Sequence, residues 1–219
     1  PGTRRDEAAD TLVEDTFTFY RQTATVPRGP NGRLNWSFRG PAGDREWAWA
    51  LNRHQHLKQL LNVYTETGNA VYAETLDAHL REWVVSSLPY PRKRSSTALW
   101  RGLEVSFRVK AWASVFYALQ QDDVLRPATR LLMLTSLLEH AHYLRHFHAG
   151  GNWVTMEHSA LAILAAAWPE FRESADWFDY AATTLTREMD RQVYPDGVQK
   201  ELTSHYHRVA LSNFDRFAT

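Results

Sequence analysis

The chain has 219 residues, enough for one good hydrophobic core and slightly above the usual size of one domain, so a single domain over 1–219 is expected. Lys plus Arg equals Asp plus Glu at 25 each, which leaves no global basic field to attract nucleic acid or an anionic membrane. The absence of cysteine excludes disulfides, thiolate catalysis and cysteine-ligated zinc, and the longest apolar run, "ALAILAAAW", is far short of the roughly 20 residues that span a bilayer.

The first residues, "PGTRRDEAAD", lack both the apolar segment of a signal peptide and an initiator methionine, as a processed or trimmed start would. Beyond them the periodicity is helical almost throughout. Leu51, Leu57, Leu60, Leu61 and Tyr64 share one helix face, which "TGN" at Thr67 to Asn69 terminates. Val71, Tyr72, Leu76, Leu80 and Trp83 then form the face of a second helix, so the two make a hairpin. Further helical periods run over Leu99 to Leu119, Ala128 to Phe147, Trp153 to Trp168 and Ser174 to Val193. The connections "SSLPYPRKRSS", "QQDDVLRP" and "YPDG" are polar and rich in Pro, Gly or Ser, as loops between helices are. For a strand, "RLNWSFRG" is the sole short candidate.

The fold class expected is therefore all-α, an array of antiparallel helix hairpins that either extends as a superhelix or curls into an α/α toroid. No fixed repeat period is present, which weighs against a regular solenoid. The last segment, "SHYHRVALSNFDRFAT", still reads as helix at its final residue, so a piece of a longer protein is expected.

Polar groups interrupt this apolar pattern in four places. "GGNW" opens an apolar helix with Asn152 and Trp153, and Glu157 and His158 follow on its second turn. They either cap a buried helix end or line a pocket. In "WAWALNRHQH", Asn52, Arg53, His54 and His56 break the entry of another helix. In "WRGLEVSFRVKAW", Glu104 and Arg108 are four apart and share a face, the spacing of a helix ion pair. In "YPDGVQKELTSHYHRVAL", a turn at Pro195 to Gly197 leads to Glu201, His205, Tyr206 and His207. Trp36, Trp47, Trp49, Trp100 and Trp153 sit near loops and helix starts, where an indole either stacks on a sugar ring or fills the core.

In order and on helices, "NRHQH", "LEVSFRV", "GGNW" and "DGVQKELTSHYH" resemble the N-terminal α/α toroid of heparinase II/III-type polysaccharide lyases, most closely the heparinase III-like branch, over roughly residues 35–210. The resemblance implies an incomplete (α/α) toroid and a lyase that cleaves a heparan sulfate-like uronic-acid glycan by β-elimination. Asn152 matches the family's asparagine that neutralises the carboxylate at C5. Tyr206 matches its catalytic tyrosine, taking the C5 proton, donating to the leaving O4, or both. A phenol with a pKa of about 10 needs positive charge nearby to act as a base, and His205, His207, Arg53 and Arg108 are candidates for that help. His54 and His56 are candidate anion ligands, Trp153 a pocket wall, and Glu104, Glu157, His158 and Glu201 supporting groups. The resemblance further implies an acidic polysaccharide as partner, a periplasmic or secreted location, no cofactor within 1–219, and a C-terminal β-sandwich domain that adds an active-site histidine and has room for a structural metal. Where the alginate-lyase and heparinase II branches carry histidine after the asparagine, this chain has Trp153, which places it with the heparinase III-like branch.

Other readings stay open at this level. His142 and His146 in "EHAHYLRHFH" have the i, i+4 spacing of two metal ligands, without the third ligand of a metalloprotease. A glycoside hydrolase would draw two facing carboxyls from Glu104, Glu157 and Glu201. Alginate or another glycuronan would suit the same lyase chemistry, and a helical module would bind acidic glycans without cleaving them.

Overall fold

The computed structural model describes residues 4–198, 200, 208–212 and 215. In chain order these residues form α1 (Glu7–Val13), β1 (Thr16–Phe19), β2 (Gln22–Thr25), α2 (Arg45–Leu51), α3 (Gln55–Thr67), α4 (Ala70–Ser86), α5 (Gly102–Ala118), α6 (Pro127–His146), α7 (Trp153–Ala167) and α8 (Ser174–Gln192). The six long helices fall where the apolar periods place them, except that Leu51, expected on the face of α3, ends α2 and is cut off from it by the left-handed turn at His54. Capping explains several of their ends. Asn69 accepts from Val71 N at the start of α4, Gly68 closes α3 in the left-handed conformation at φ +67°, and Pro127 opens α6.

Each consecutive pair, α3 with α4, α5 with α6 and α7 with α8, packs as an antiparallel hairpin. Across hairpins, α3, α5 and α7 pack side by side, and α4, α6 and α8 do the same. Two concentric layers of alternating helices are the arrangement of an α/α toroid, and both layers share one apolar interior. No described helix is long and apolar enough to cross a membrane.

The strands fall elsewhere than expected. "RLNWSFRG" contributes only an isolated bridge, Arg28 to Leu34, whereas "TFTFYRQTAT" forms an antiparallel hairpin. Its alternation of Thr and Phe puts Phe17 into the core and pairs threonines on the other face, with hydroxyl contacts of 2.7 Å for Thr16–Thr25 and 2.8 Å for Thr18–Thr23. Tyr20 and Arg21 both adopt positive φ to make the turn, without the Asn-Gly signature that usually marks one.

The core is aromatic and contains histidines. Trp36, Trp83, Trp100 and Trp112 surround His54 and His140, with ring centroids 4.8–5.9 Å apart in the pairs Trp36–His54, Trp83–His54, Trp112–His54 and Trp100–His140. Asn52 ends α2 inside this layer. It donates to Trp36 O at 2.7 Å and Ala48 O at 2.8 Å, and it accepts from Trp83 Nε1 at 2.8 Å. Arg108, fully buried, donates to Asn52 O at 2.8 Å and His140 Nε2 at 3.1 Å while resting 4.2 Å over the Trp83 ring. Removing the Asn52 side chain orphans a buried N–H and a buried carbonyl, so Asn52→Ala is expected to cost about 3 kcal/mol in denaturant unfolding.

Burial holds His54, His56 and His140 far below the usual imidazole range, and brings His158 down to about 4. The unfolded chain therefore binds more protons near pH 6, and stability is complete above about pH 6.5 and lost as pH falls below it. Glu157, pushed up to about 7 by burial, acts oppositely, losing stability as pH rises from the ordinary carboxylate range toward 7. Four imidazoles outweigh one carboxyl. Unfolding curves of the full-length protein should accordingly shift to lower denaturant between pH 7 and pH 5, and a constant midpoint would contradict neutral core histidines.

Candidate functional site

A cavity of about 260 Å³ opens between the start of α2, the loop before α5 and the start of α7. Trp49 and Trp153 supply aromatic walls, and Arg45, Arg94 and Arg101 bring positive charge, with Glu157 as the acid on the lining. Arg101 is the structural centre of this pocket. Its guanidinium lies 3.4 Å over the Trp49 ring and 5.0 Å from the Trp153 ring, and it pairs with Glu104 through two nitrogens, one at 2.7 Å. Glu104 is completely buried and receives Arg53 as well, at 3.2 Å from both Nε and Nη2. One carboxylate thus orders two arginines, and its charge offsets one of them, so the pocket keeps a positive balance. Arg45 and Arg94 are exposed, with Arg45 stacked 5.1 Å from the Trp49 ring. The loop bearing Arg94 is anchored by Tyr143, whose hydroxyl accepts from Ser95 N at 2.9 Å.

Beside Trp153, the "HAGGNW" loop delivers Asn152 to the N-terminus of α7. Gly151 adopts φ +67°, which a side chain would strain, and a Cβ on Gly150 or Gly151 would meet open space. No protein neighbour therefore crowds these glycines. Asn152 is half-buried, and its side chain does not cap α7, so the amide is not consumed in closing the helix. Thr155 Oγ1 and Val154 N fix the turn by donating to Asn152 O at 2.8 Å and Gly151 O at 3.1 Å. The turn thus holds the amide at the partly positive end of a fifteen-residue helix.

The expected site residues divide into three groups. Trp153 and Glu157 line this pocket, Glu104 and Arg53 lie behind it through the Glu104–Arg101 pair, and Asn152 directly precedes Trp153 at the start of α7. His54, Arg108 and His158 do not line it. His54 accepts from Trp112 Nε1 at 3.0 Å inside the aromatic core, and Arg108, expected to pair with Glu104, instead serves Asn52 and His140. Arg108's burial brings its pKa down to about 9. His158 bonds Val154 O through Nδ1 and packs against His148 and Tyr180. His56, also an expected anion ligand, is buried against Phe17, Trp36 and His79 in the first turn of α3. The physical reason is common to all four: a buried imidazole or guanidinium packed among aromatic rings fills core volume, and a sequence cannot distinguish that from a ligand-facing position. Tyr206, His205, His207 and Glu201 lie outside the described residues. The His142 and His146 rings are 4.6 Å apart, but among the described residues no group of three metal-ligating side chains forms. In the sequence Trp49 stands out only as one of several tryptophans, and Arg45, Arg94 and Arg101 carry no signal, because Arg45 is distant in sequence from the other two and the three share no helical spacing.

A sequence model described as "Heparinase II/III N-terminus" matches residues 2–218. A heparin-sulfate lyase of Pedobacter heparinus is 31% identical over 189 residues, covering 83% of this chain and 28% of that protein. One from Bacteroides stercoris is 27% identical over 231 residues, covering 97% of this chain and 34% of that protein. Among solved structures, the heparan sulfate lyase HepC of Pedobacter heparinus is similar at a TM-score of 0.80 and 28% identity, over 96% of this chain and 33% of that one. A structure of heparinase III, at 24% identity and a TM-score of 0.85, shows the same fold over 96% of this chain and 33% of its own. The chain thus spans about a third of the length of the relatives it matches. The helical hairpins correspond to the α/α toroid of heparinase III, and the chain belongs to the heparinase II/III family, in the part that forms its N-terminal region.

Proposed function

We propose that this chain is part of a polysaccharide lyase that cleaves a heparan sulfate-like, uronic-acid-containing glycan by β-elimination. The observation that carries the reading is the pocket of two tryptophans and three arginines beside Asn152 at the start of α7. Indole faces suit the C–H surface of a sugar ring, and arginines suit carboxylate or sulfate. The names of the relatives, heparin-sulfate lyases, agree with that ligand chemistry.

In the proposed reaction the C5 proton is poorly acidic while the adjacent carboxylate keeps its charge. Asn152, with the α7 N-terminus behind it, donates to that carboxylate and stabilises the enolate-like transition state. Tyr206 takes the C5 proton and returns a proton to the departing O4 as the C4–O4 bond breaks, so the C4=C5 double bond forms without water entering the product. A location outside the cytoplasm, periplasmic or secreted, belongs to the same proposal, since the polymer is found there. The hydrolase alternative is disfavoured by Glu104, whose oxygens are occupied by Arg53 and Arg101.

The test is ultraviolet absorbance of uronate polysaccharides incubated with the full-length protein. Unsaturated product should appear with a heparan sulfate-like polymer, and Asn152→Ala should lower kcat by about 100-fold or more, the usual cost of losing a donor to a developing anion. Tyr206→Phe should abolish the signal. Reducing ends without absorbance would instead mean hydrolysis, and retention of the polymer without either product would mean a binding module. A second measurement probes the walls. Arg94→Ala should raise KM several-fold with kcat nearly intact, and the difference from wild type should shrink as salt rises, because an exposed arginine contributes screened ground-state binding.

A further inference from the structure

Among the described residues that line the pocket, Glu157 is a carboxyl to which the proposed reaction gives no step. Its side chain is 1% exposed on the second turn of α7, and it reaches back toward the N-terminus of its own helix, as long side chains on helices do. There Oε2 accepts from Ala149 N at 2.7 Å, three residues before Asn152. Oε1 has no protein partner and lies against the first residue of α5, Gly102, where an added Cβ would come within 1.6 Å of it. A carboxyl so enclosed is costly unless it serves a geometric purpose. Its neighbours fit that purpose. Gly102 adjoins Arg101, the guanidinium stacked on Trp49 and Trp153, so Glu157 touches both sides of the pocket.

We propose that Glu157 is a positioning residue that sets the height of the Asn152 loop against the N-terminus of α5, by holding the Ala149 amide over the space that Gly102 leaves empty. The loop is tied at three points, the first being His148, whose Nε2 is hydrogen-bonded to the Tyr180 hydroxyl at 3.2 Å. Gly151 O accepts from Val154 N within the turn and from Gln192 Nε2 of α8 at 3.3 Å, and Ala149 N is held by Glu157. Without the Glu157 tie, the segment from Ala149 to Gly151 pivots on its glycines between the anchored His148 and α7, and the Asn152 amide shifts relative to Trp153. Burial raises Glu157 to about 7, against the opposing pull of the Ala149 N–H and of Arg94. The inference rests on the reading of Asn152 as the group that binds the substrate carboxylate.

Two readouts test it in the full-length protein, hydrogen exchange at the Ala149 amide and steady-state kinetics. Glu157→Met keeps the volume and removes the acceptor. Glu157→Gln keeps an acceptor oxygen. Gly102→Ala leaves the glutamate in place but fills the space its carboxyl occupies, and it displaces only the far end of a flexible side chain, so it keeps the test standing if Glu157→Met does not fold. Glu157→Met and Gly102→Ala are expected to accelerate exchange at Ala149 and to lower kcat about 10- to 100-fold with KM little changed, as a misplacement near 1 Å does. Glu157→Gln should restore most of both. Wild-type exchange at Ala149 in Glu157→Met and Gly102→Ala would overturn the proposal, as would accelerated exchange with wild-type kcat. Failure of the lyase reading is separately visible, because the wild-type protein would then form no unsaturated product while the exchange measurement still reports whether Glu157 holds the loop.

Discussion

A buried arginine fixes the register of this fold. Arg108 is sealed inside an aromatic layer, and a lone cation there would be strongly unfavourable. Indole faces, the Asn52 carbonyl and the His140 ring take the place of water around it. Since Asn52 is the residue at which α2 stops, this bond determines where the chain breaks and turns into α3. His54 completes the break in the left-handed conformation at φ +58° and docks its ring on Trp112. Helices α2, α3, α5 and α6 are thereby locked to one another through polar contacts at the centre of the apolar layer.

The pocket inherits its geometry from that break. Arg53, next to Asn52, emerges at the edge of the core and reaches Glu104, one turn before Arg108 on α5. Glu104 also holds Arg101, which lies over Trp49 from α2 and near Trp153 from α7. A continuous path therefore runs from the core cation to the pocket arginine through a single carboxylate. Such an arrangement puts charge at a fixed place with little rotamer freedom left, the condition under which an arginine discriminates a bound anion by position.

Acid and base are kept apart by burial. The core imidazoles are held neutral by desolvation, while the arginines that remain charged in the pocket either lie at its exposed rim or are paired with Glu104. Glu157 is the exception, a carboxyl raised to about 7 next to the loop that bears Asn152.

Much of the helical framework was legible in the sequence. The 3.6-residue apolar periods located α3 to α8, and "TGN" marked the α3–α4 corner, since both signals are local. Asn152 and Trp153 were readable as a pair because "GGNW" interrupts an apolar helix at its start. The hairpin at "TFTFYRQTAT" is not legible in the sequence because its turn residues carry no turn signature and its strands are four residues long. Only the tertiary structure decided which polar groups face the pocket. His54 and Arg108 look the same in sequence as Arg53 and Glu104, yet packing sends the first two into the aromatic core and brings the others beneath Arg101. Arg45 stands on α2 and Arg94 and Arg101 on the loop before α5, two segments that meet the Trp153 end of α7 only when the helices pack together. Period and composition are properties of neighbours along the chain, whereas a binding pocket depends on distances across it, and those follow from how the hairpins pack.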